Sequence, residues 1–246
     1  MYILILAFIL GLFVGSFLNV CIDRLPAGQS IINPPSHCSA CNHKLGILDL
    51  VPLFSYLYLR GRCRYCQAPI SLRLPIVEGI TGVLFTFLYW KFGLELELGI
   101  SLVYACLIII IFVIDLENQL VLDKVIYPGI ALAFAFSFFW PGLGVISALE
   151  GGALGLAVIA LIVIIYPPGM GWGDVKMSAL VGLMTGFPLV SIALLLSVIS
   201  GGLIGAILLA FKIKGRKDPI PFAPFLATSA MVVLLWGKVI WQWYLP

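Results

Sequence analysis

The sequence predicts an all-α polytopic membrane protein of about eight transmembrane helices, with one small cytoplasmic domain between the first helix and the second. Three observations lead there. Hydrophobic residues make up 62% of the 246-residue chain and charged residues 10%, against about 25% charged in ordinary soluble domains. Apolar runs of spanning length, or near it, recur along the chain. The basic residues gather in a few connecting segments, as they do on the cytoplasmic side of membrane proteins.

The first run, 2–20, has no basic residue before Ile3 and no small-residue cleavage site behind it, so it reads as a retained span with its positive flank at Arg24. Further runs lie at about 75–92, 98–115, 125–141, 144–166, 188–211 and 222–243, with a short, glycine-rich eighth at about 174–187. The segment 21–74 carries Arg24, Lys44, Arg60, Arg62, Arg64 and Arg73 against Asp23 and Asp49, which places it in the cytoplasm and the N-terminus outside. Counting from there brings the loops at 116–124 and 167–174 inside too. If 174–187 did not cross, the cluster Lys212, Lys214, Arg216 and Lys217 would fall outside. With eight crossings it lies inside, both termini are outside, and only Lys91 and Lys238 of the fourteen basic residues remain on the far side. The expected organisation is therefore a first transmembrane helix (1–20), a cytoplasmic domain (21–74) and a membrane domain (75–246).

Aromatic residues agree with that orientation: Trp90, Trp140, Trp241, Trp243 and Tyr244 end segments that it brings to the outer interface. Glycine pairs at Gly11/Gly15, Gly151/Gly155, Gly182/Gly186 and Gly201/Gly205 have the spacing that lets helices approach closely. With twenty-five glycines in the chain, two or three such pairs arise by chance, so the spacing is a weak signal.

The cytoplasmic domain contains Cys38-x2-Cys41 and Cys63-x2-Cys66, with 21 residues between the pairs. Two such knuckles supply four thiolates that can converge tetrahedrally on a structural Zn²⁺. A fifty-residue domain has little core of its own, and zinc can contribute on the order of 10 kcal/mol of folding free energy. Disulfides are the rival reading, which a reducing cytoplasm disfavours. His37 and His43 flank the first knuckle, but four cysteines already close the shell. Cys21 and Cys106 lie alone in apolar surroundings and read as packing residues.

Two carboxylates stand out against the apolar background. Asp115 ends one run, and Asp174 lies in the stretch Gly169-Met170-Gly171-Trp172-Gly173-Asp174-Val175-Lys176. An aspartate costs roughly 2.5–3.5 kcal/mol at the centre of a spanning helix on insertion scales, so a pair of them near the bilayer calls for a functional reason. Bland readings exist: Asp174 can cap the helix that starts there, and Asp115 can mark where a span meets the interface. Against them, both residues arrive at the cytoplasmic face, and Gly169, Gly171 and Gly173 leave backbone open to another chain. Two carboxylates in one site hold a proton between them, so that one activates water while the other protonates a scissile carbonyl. That is aspartyl peptidase chemistry.

The order and spacing of these features resemble the bacterial type IV prepilin peptidases, the leader peptidase/N-methyltransferases that process pilins and the pseudopilins of type II secretion. The resemblance runs over nearly the whole chain. It is carried by Gly15-Ser16-Phe17-Leu18-Asn19-Val20 with Arg24-Leu25-Pro26, the two cysteine knuckles, Leu74-Pro75-Ile76-Val77-Glu78, Ile114-Asp115-Leu116 with Asp123 eight residues after Asp115, the glycine-rich stretch ending at Lys176, and Ile220-Pro221-Phe222-Ala223-Pro224-Phe225. It implies an intramembrane-type aspartyl peptidase of the bacterial inner membrane with Asp115 and Asp174 as the catalytic pair. The substrate would be a prepilin whose basic leader stays in the cytoplasm, cut after a glycine, with the new N-terminus then methylated from S-adenosylmethionine. In this family both cysteine pairs accompany the methylating form. Leu122 departs from the proline that relatives often carry before the residue matching Asp123.

Beside that pair, Gly171 and Gly173 are expected to shape the site. Lys176 would lower a carboxylate's pKa or anchor its helix end, and Asp123 would act as a cap or loop residue in support of Asp115. Glu78 has two readings, an ion pair with Arg73 or a role in methyl transfer or in gripping the substrate amine. Arg60, Arg62 and Arg64 would meet anionic lipid headgroups, at about 1 kcal/mol each, or simply hold the domain in the cytoplasm. The expected partners are prepilins or pseudopilins and the lipid bilayer, with no nucleic acid. Two other classes compete: an ion-coupled transporter, which would place acidic residues near the midplane of several spans, and a zinc-knuckle scaffold, which would need no aspartate pair.

Overall fold

The computed structural model describes residues 2–166, 170–213, 215 and 220–244. Among these residues there are nine α-helices, one 3-10 turn and two isolated β-bridges. Five helices are long and apolar enough to cross a membrane: α1 (Tyr2–Arg24), α4 (Leu96–Asn118), α6 (Val145–Ile165), α8 (Leu189–Ala210) and α9, whose spanning part is Ala223–Trp243 of Ala223–Tyr244. Three more helices, α3 (Arg73–Phe92), α5 (Asp123–Ser137) and α7 (Trp172–Thr185), cover the remaining apolar runs, and α2 (Phe54–Tyr58) is a single turn in the polar segment. The chain divides into two compact units, Met1–Ile110 and Ile111–Pro246.

In the first unit α1 packs along α3. Their glycines explain how: a methyl at Gly11 would lie 2.7 Å from the Gly82 Cα, and one at Gly15 2.7 Å from the Glu78 Cα, so only bare backbone lets the helices approach this closely. Polar groups close the same end of the pair. Asn19 Nδ2 donates to the Leu74 carbonyl at 3.0 Å, and Arg73 pairs with Asp23. Glu78, buried, accepts the Leu53 N–H at 2.9 Å and has the Ser16 hydroxyl as a further donor. This corrects the Glu78–Arg73 pairing. The two lie five residues apart, off the three- and four-residue spacings that align side chains on a helix.

The polar segment between α1 and α3 is held by turns rather than by an apolar core. Each cysteine knuckle closes on itself in the same way, with Cys38 N–H donating to the His43 carbonyl and Cys63 N–H to the Ala68 carbonyl. Each then turns through a left-handed residue, Asn42 (φ 56°) or Gln67 (φ 60°). Asp49, in the 3-10 turn Ile47–Asp49, ties the knuckles' surroundings together: it accepts from Gly46 N–H at 3.0 Å and the Tyr65 hydroxyl at 3.2 Å, and pairs with Arg64 Nε at 2.7 Å. Burial pushes the Asp49 carboxyl up, but those donors outweigh it and hold it below the usual carboxylate range.

The second unit is built around α7. Its fourteen residues reach about 21 Å, well short of a hydrocarbon core about 30 Å thick. From Met177 to Thr185 every residue is buried, with α5, α6, α8 and α9 packed against it. Small residues make the fit possible. A Cβ at Gly182 would sit 2.1 Å from the Gly151 carbonyl oxygen and one at Gly155 2.4 Å from that of Ser178, whose hydroxyl donates back to the Gly155 carbonyl at 2.9 Å. Three of the four glycine pairs are therefore close-packing sites. At the fourth, Gly201 only touches the Phe225 ring and Gly205 has room.

Trp90 and Trp243 are exposed near the ends of α3 and α9; the side chain of Tyr244 lies outside the described residues. Of the basic cluster that decided the crossing count, Lys214, Arg216 and Lys217 also lie outside them, and Lys212 closes the turn after α8.

Candidate active site and metal centre

Asp115 stands in the last turn of α4, between the apolar Ile114 and Leu116, and is 4% exposed. The helix ends just beyond it, where Gln119 N–H returns to the Asp115 carbonyl at 2.9 Å and Gln119 turns left-handed at φ 52°. Its carboxylate accepts the N–H of Ala223, the first residue of α9, while Oδ2 is buried with no hydrogen-bond partner among the described residues. Pro221 and Pro224 explain why α9 starts there: a proline in the first turn removes an N–H that no helical carbonyl would have accepted.

Asp174 is the third residue of α7. Its Oδ2 accepts the Gly171 N–H at 3.2 Å, so it does cap its helix. Its charge is also felt at Asp115. The two carboxylates lie at the ends of two helices of the second unit, 59 positions apart in the chain.

The supporting residues divide. Gly173 lies against the loop before α5: a Cβ there would be 2.8 Å from the Val121 Cβ. Gly171 has open space and is extended (φ −95°, ψ 159°), and Gly169 lies outside the described residues. Lys176 Nζ pairs with Asp123 Oδ1 at 2.6 Å and lies 5.2 Å from the Tyr127 ring centroid. Asp123 is the first residue of α5. Lys176 therefore anchors α7 to α5. Glu78 belongs to the first unit, where its partners are Leu53 and Ser16. Sequence reasoning missed the Ala223 N–H, Val121 and Tyr127; the proline pair around Ala223 was the available signal for the first.

The other cluster is Cys38, Cys41, Cys63 and Cys66, whose sulfurs all lie within 4.8 Å of one another. Four thiolates at about 2.3 Å from a tetrahedral ion stand about 3.8 Å apart, and Cys38 Sγ to Cys66 Sγ is 3.8 Å. The donor set fits a metal ion. The N–H groups of Cys41 and Ala40 lower the Cys38 thiol to about 6. At Cys66 the Ala68 N–H acts in the same direction, but desolvation and the other three thiols prevail and raise it to about 12. His37 bonds with the Pro35 carbonyl at 3.1 Å and His43 stacks on Tyr65 at 3.7 Å between centroids. Cys21 is buried and Cys106 half-buried, away from this cluster.

Comparison with known proteins places both features in one family. The bacterial peptidase A24 N-terminal domain matches residues 9–92, and the type IV leader peptidase family matches residues 102–206. Curated relatives named prepilin leader peptidase/N-methyltransferase include one from Stutzerimonas stutzeri, 32% identical over 97% of this chain and 92% of its own length. Another, from Bacillus subtilis, is 32% identical over 97% of this chain and 96% of its own. The chain belongs to the type IV leader peptidase family. It is therefore an enzyme, and the leader peptidase match covers both Asp115 and Asp174, while the N-terminal match covers all four clustered cysteines. A relative from Pseudomonas aeruginosa carries the same name at 31% identity over 96% of this chain. No solved structure matches the chain.

Proposed function

We propose that this leader peptidase is an aspartyl endopeptidase that removes the leader from type IV prepilins or type II secretion pseudopilins and then N-methylates the new N-terminal residue. The observation that carries the peptidase half is that the leader peptidase match takes in both Asp115, buried at the end of α4 with its Oδ2 unpartnered among the described residues, and Asp174 at the start of α7. Like charges sharing a desolvated site hold a proton between them. The ionised member takes a proton from water as it attacks the scissile carbonyl, and the protonated member gives its proton to the carbonyl oxygen. Collapse of the tetrahedral intermediate passes a proton to the leaving nitrogen and returns the pair to its starting state. The N–H groups of Ala223 and Gly171 each hold one carboxylate in place.

Cys38, Cys41, Cys63 and Cys66 would hold a structural Zn²⁺ that folds the 21–74 domain, and S-adenosylmethionine would supply the methyl group. The relatives' names support the second activity. Eight crossings of the bacterial inner membrane, with both termini outside, put this domain and the aspartate pair on the cytoplasmic side, where the basic leader of a prepilin remains. In this arrangement 1–20 is the first span and 75–246 the membrane domain. The short α7, buried from Met177 to Thr185 but not at its start, would let Asp174 meet water at the membrane face without a full-length helix.

The test is purified protein in detergent with a full-length prepilin, with and without S-adenosylmethionine. A product shortened by its leader in both cases and heavier by one methyl group only with the donor is expected. An uncleaved prepilin would overturn the proposal.

A further inference from the structure

We infer that the Lys176–Asp123 ion pair is a strut that fixes the spacing of the two catalytic carboxylates, making Lys176 and Asp123 positioning residues for the cleavage step. The inference rests on the aspartyl reading above. From Asp115 the chain finishes α4, turns at Gln119, lays Val121 on the backbone of Gly173 and begins α5 at Asp123. Asp123 then holds Lys176 at 2.6 Å, two residues past Asp174. The ion pair thereby ties the chain eight residues past Asp115 to the chain two residues past Asp174.

The geometry also says what Lys176 does not do. Side chains two apart on a helix do not face each other, so an ammonium gripped by Asp123 is turned away from Asp174. Tyr127 lies one turn after Asp123 on the same face of α5, and its ring, 5.2 Å from the ammonium, gives Lys176 a second reason to stay. The charge of Lys176 goes to α5, and what it supplies to the aspartate pair is position. Asp123 is exposed and Lys176 half-exposed, so the strut is a modest one. An exposed ion pair together with a cation–π contact corresponds to a change of about threefold to thirtyfold.

Steady-state cleavage of a prepilin by the detergent-purified protein tests this with Lys176→Met, Asp123→Asn, the double variant, and the reversed pair Asp123→Lys with Lys176→Asp. Lys176→Met, which loses both contacts, is expected to lower kcat about tenfold, and Asp123→Asn, which loses only the ion pair, by up to about fivefold, each with KM unchanged; the double should fall no further than Lys176→Met, and the reversed pair should recover most of the loss. Lys176→Arg, which keeps charge and reach, should stay within about threefold of the parent and shows that the position tolerates change. Multiplying losses in the double variant, near-normal singles, or a reversed pair no better than the worse single would each overturn the strut. Asp115→Asn and Asp174→Asn run in the same assay separate the two ideas: if they cleave normally the aspartyl reading fails, whereas inactive aspartate variants beside multiplying losses at 123 and 176 refute the strut alone.

Discussion

Replacing Gly173 by alanine should cost far more activity than stability. The added Cβ would stand 2.8 Å from the Val121 Cβ and 3.2 Å from its Cγ2, where ordinary contact begins near 3.4 Å and carbon pairs are most comfortable between 3.5 and 4.0 Å. Relief requires about 1 Å of movement between the start of α7 and the loop leading to α5. That loop yields readily, because Val121 is only half-buried and lies outside any helix. Alanine also favours the helix over glycine by up to about 1 kcal/mol, which offsets part of an overpacking cost of about 1–3 kcal/mol. Net destabilisation should thus stay within about 2 kcal/mol. Activity is less forgiving. The displaced loop joins Asp115 to Asp123, and about 1 Å of misplacement at a reacting centre can cost about a hundredfold in rate. Thermal unfolding in detergent and prepilin cleavage, measured on the same preparations, should show a small shift in midpoint beside a fall in kcat of roughly one to two orders of magnitude. Adding Val121→Gly, which removes the clashing atoms, should restore part of the rate. Full activity in Gly173→Ala alone, or no recovery in the double variant, would refute the close approach as the reason for glycine at this position.

The α6–α7 contact makes a second demand: Gly182→Ala should destabilise the protein by at least about 2 kcal/mol, since its methyl meets backbone that cannot turn aside, whereas Gly202→Ala, with open space around it, should be neutral or slightly stabilising. Denaturation of the two variants in detergent compares them directly. Replacing Cys38 and Cys41 by serine should release about one zinc per chain and damage methylation more than cleavage, read by metal analysis and by mass spectrometry of the product N-terminus; retained zinc with full methylation would contradict this. A reporter cysteine at position 214 in a cysteine-free background should be protected from an impermeant thiol reagent in intact cells, and one at position 95 labelled. Labelling at 214 would remove the eighth crossing.

Asp115 and Asp174 stood out because carboxylates are costly in apolar sequence, and that cost is the ground for proposing them as a pair. The cysteine spacing announced its cluster because two Cys-x2-Cys loops offer four sulfurs that can converge on one ion. The helices lie where the apolar runs fell, because burial of backbone polar groups in a bilayer leaves little alternative to helix. What the sequence hid were contacts set by tertiary approach. Lys176 carries the same charge whether it faces Asp174 or Asp123, and only the placement of α5 decides. Glu78 read naturally toward Arg73, the nearest cation, while the structure gives it Leu53 and Ser16, partners that no periodicity could nominate. Nor could hydropathy show that α7 is the buried centre of its unit, because Asp174 and Lys176 near its start and a length of only fourteen residues make it look less like a core helix than its neighbours do.

The aspartate pair is tested most directly by asparagine at each position, which keeps size and shape and removes only the ability to ionise. Purified Asp115→Asn and Asp174→Asn proteins, matched to the parent in folding and in prepilin binding, should each leave the leader uncleaved under conditions where the parent cleaves it completely. Near-normal release of the leader by either variant would contradict the account at its centre.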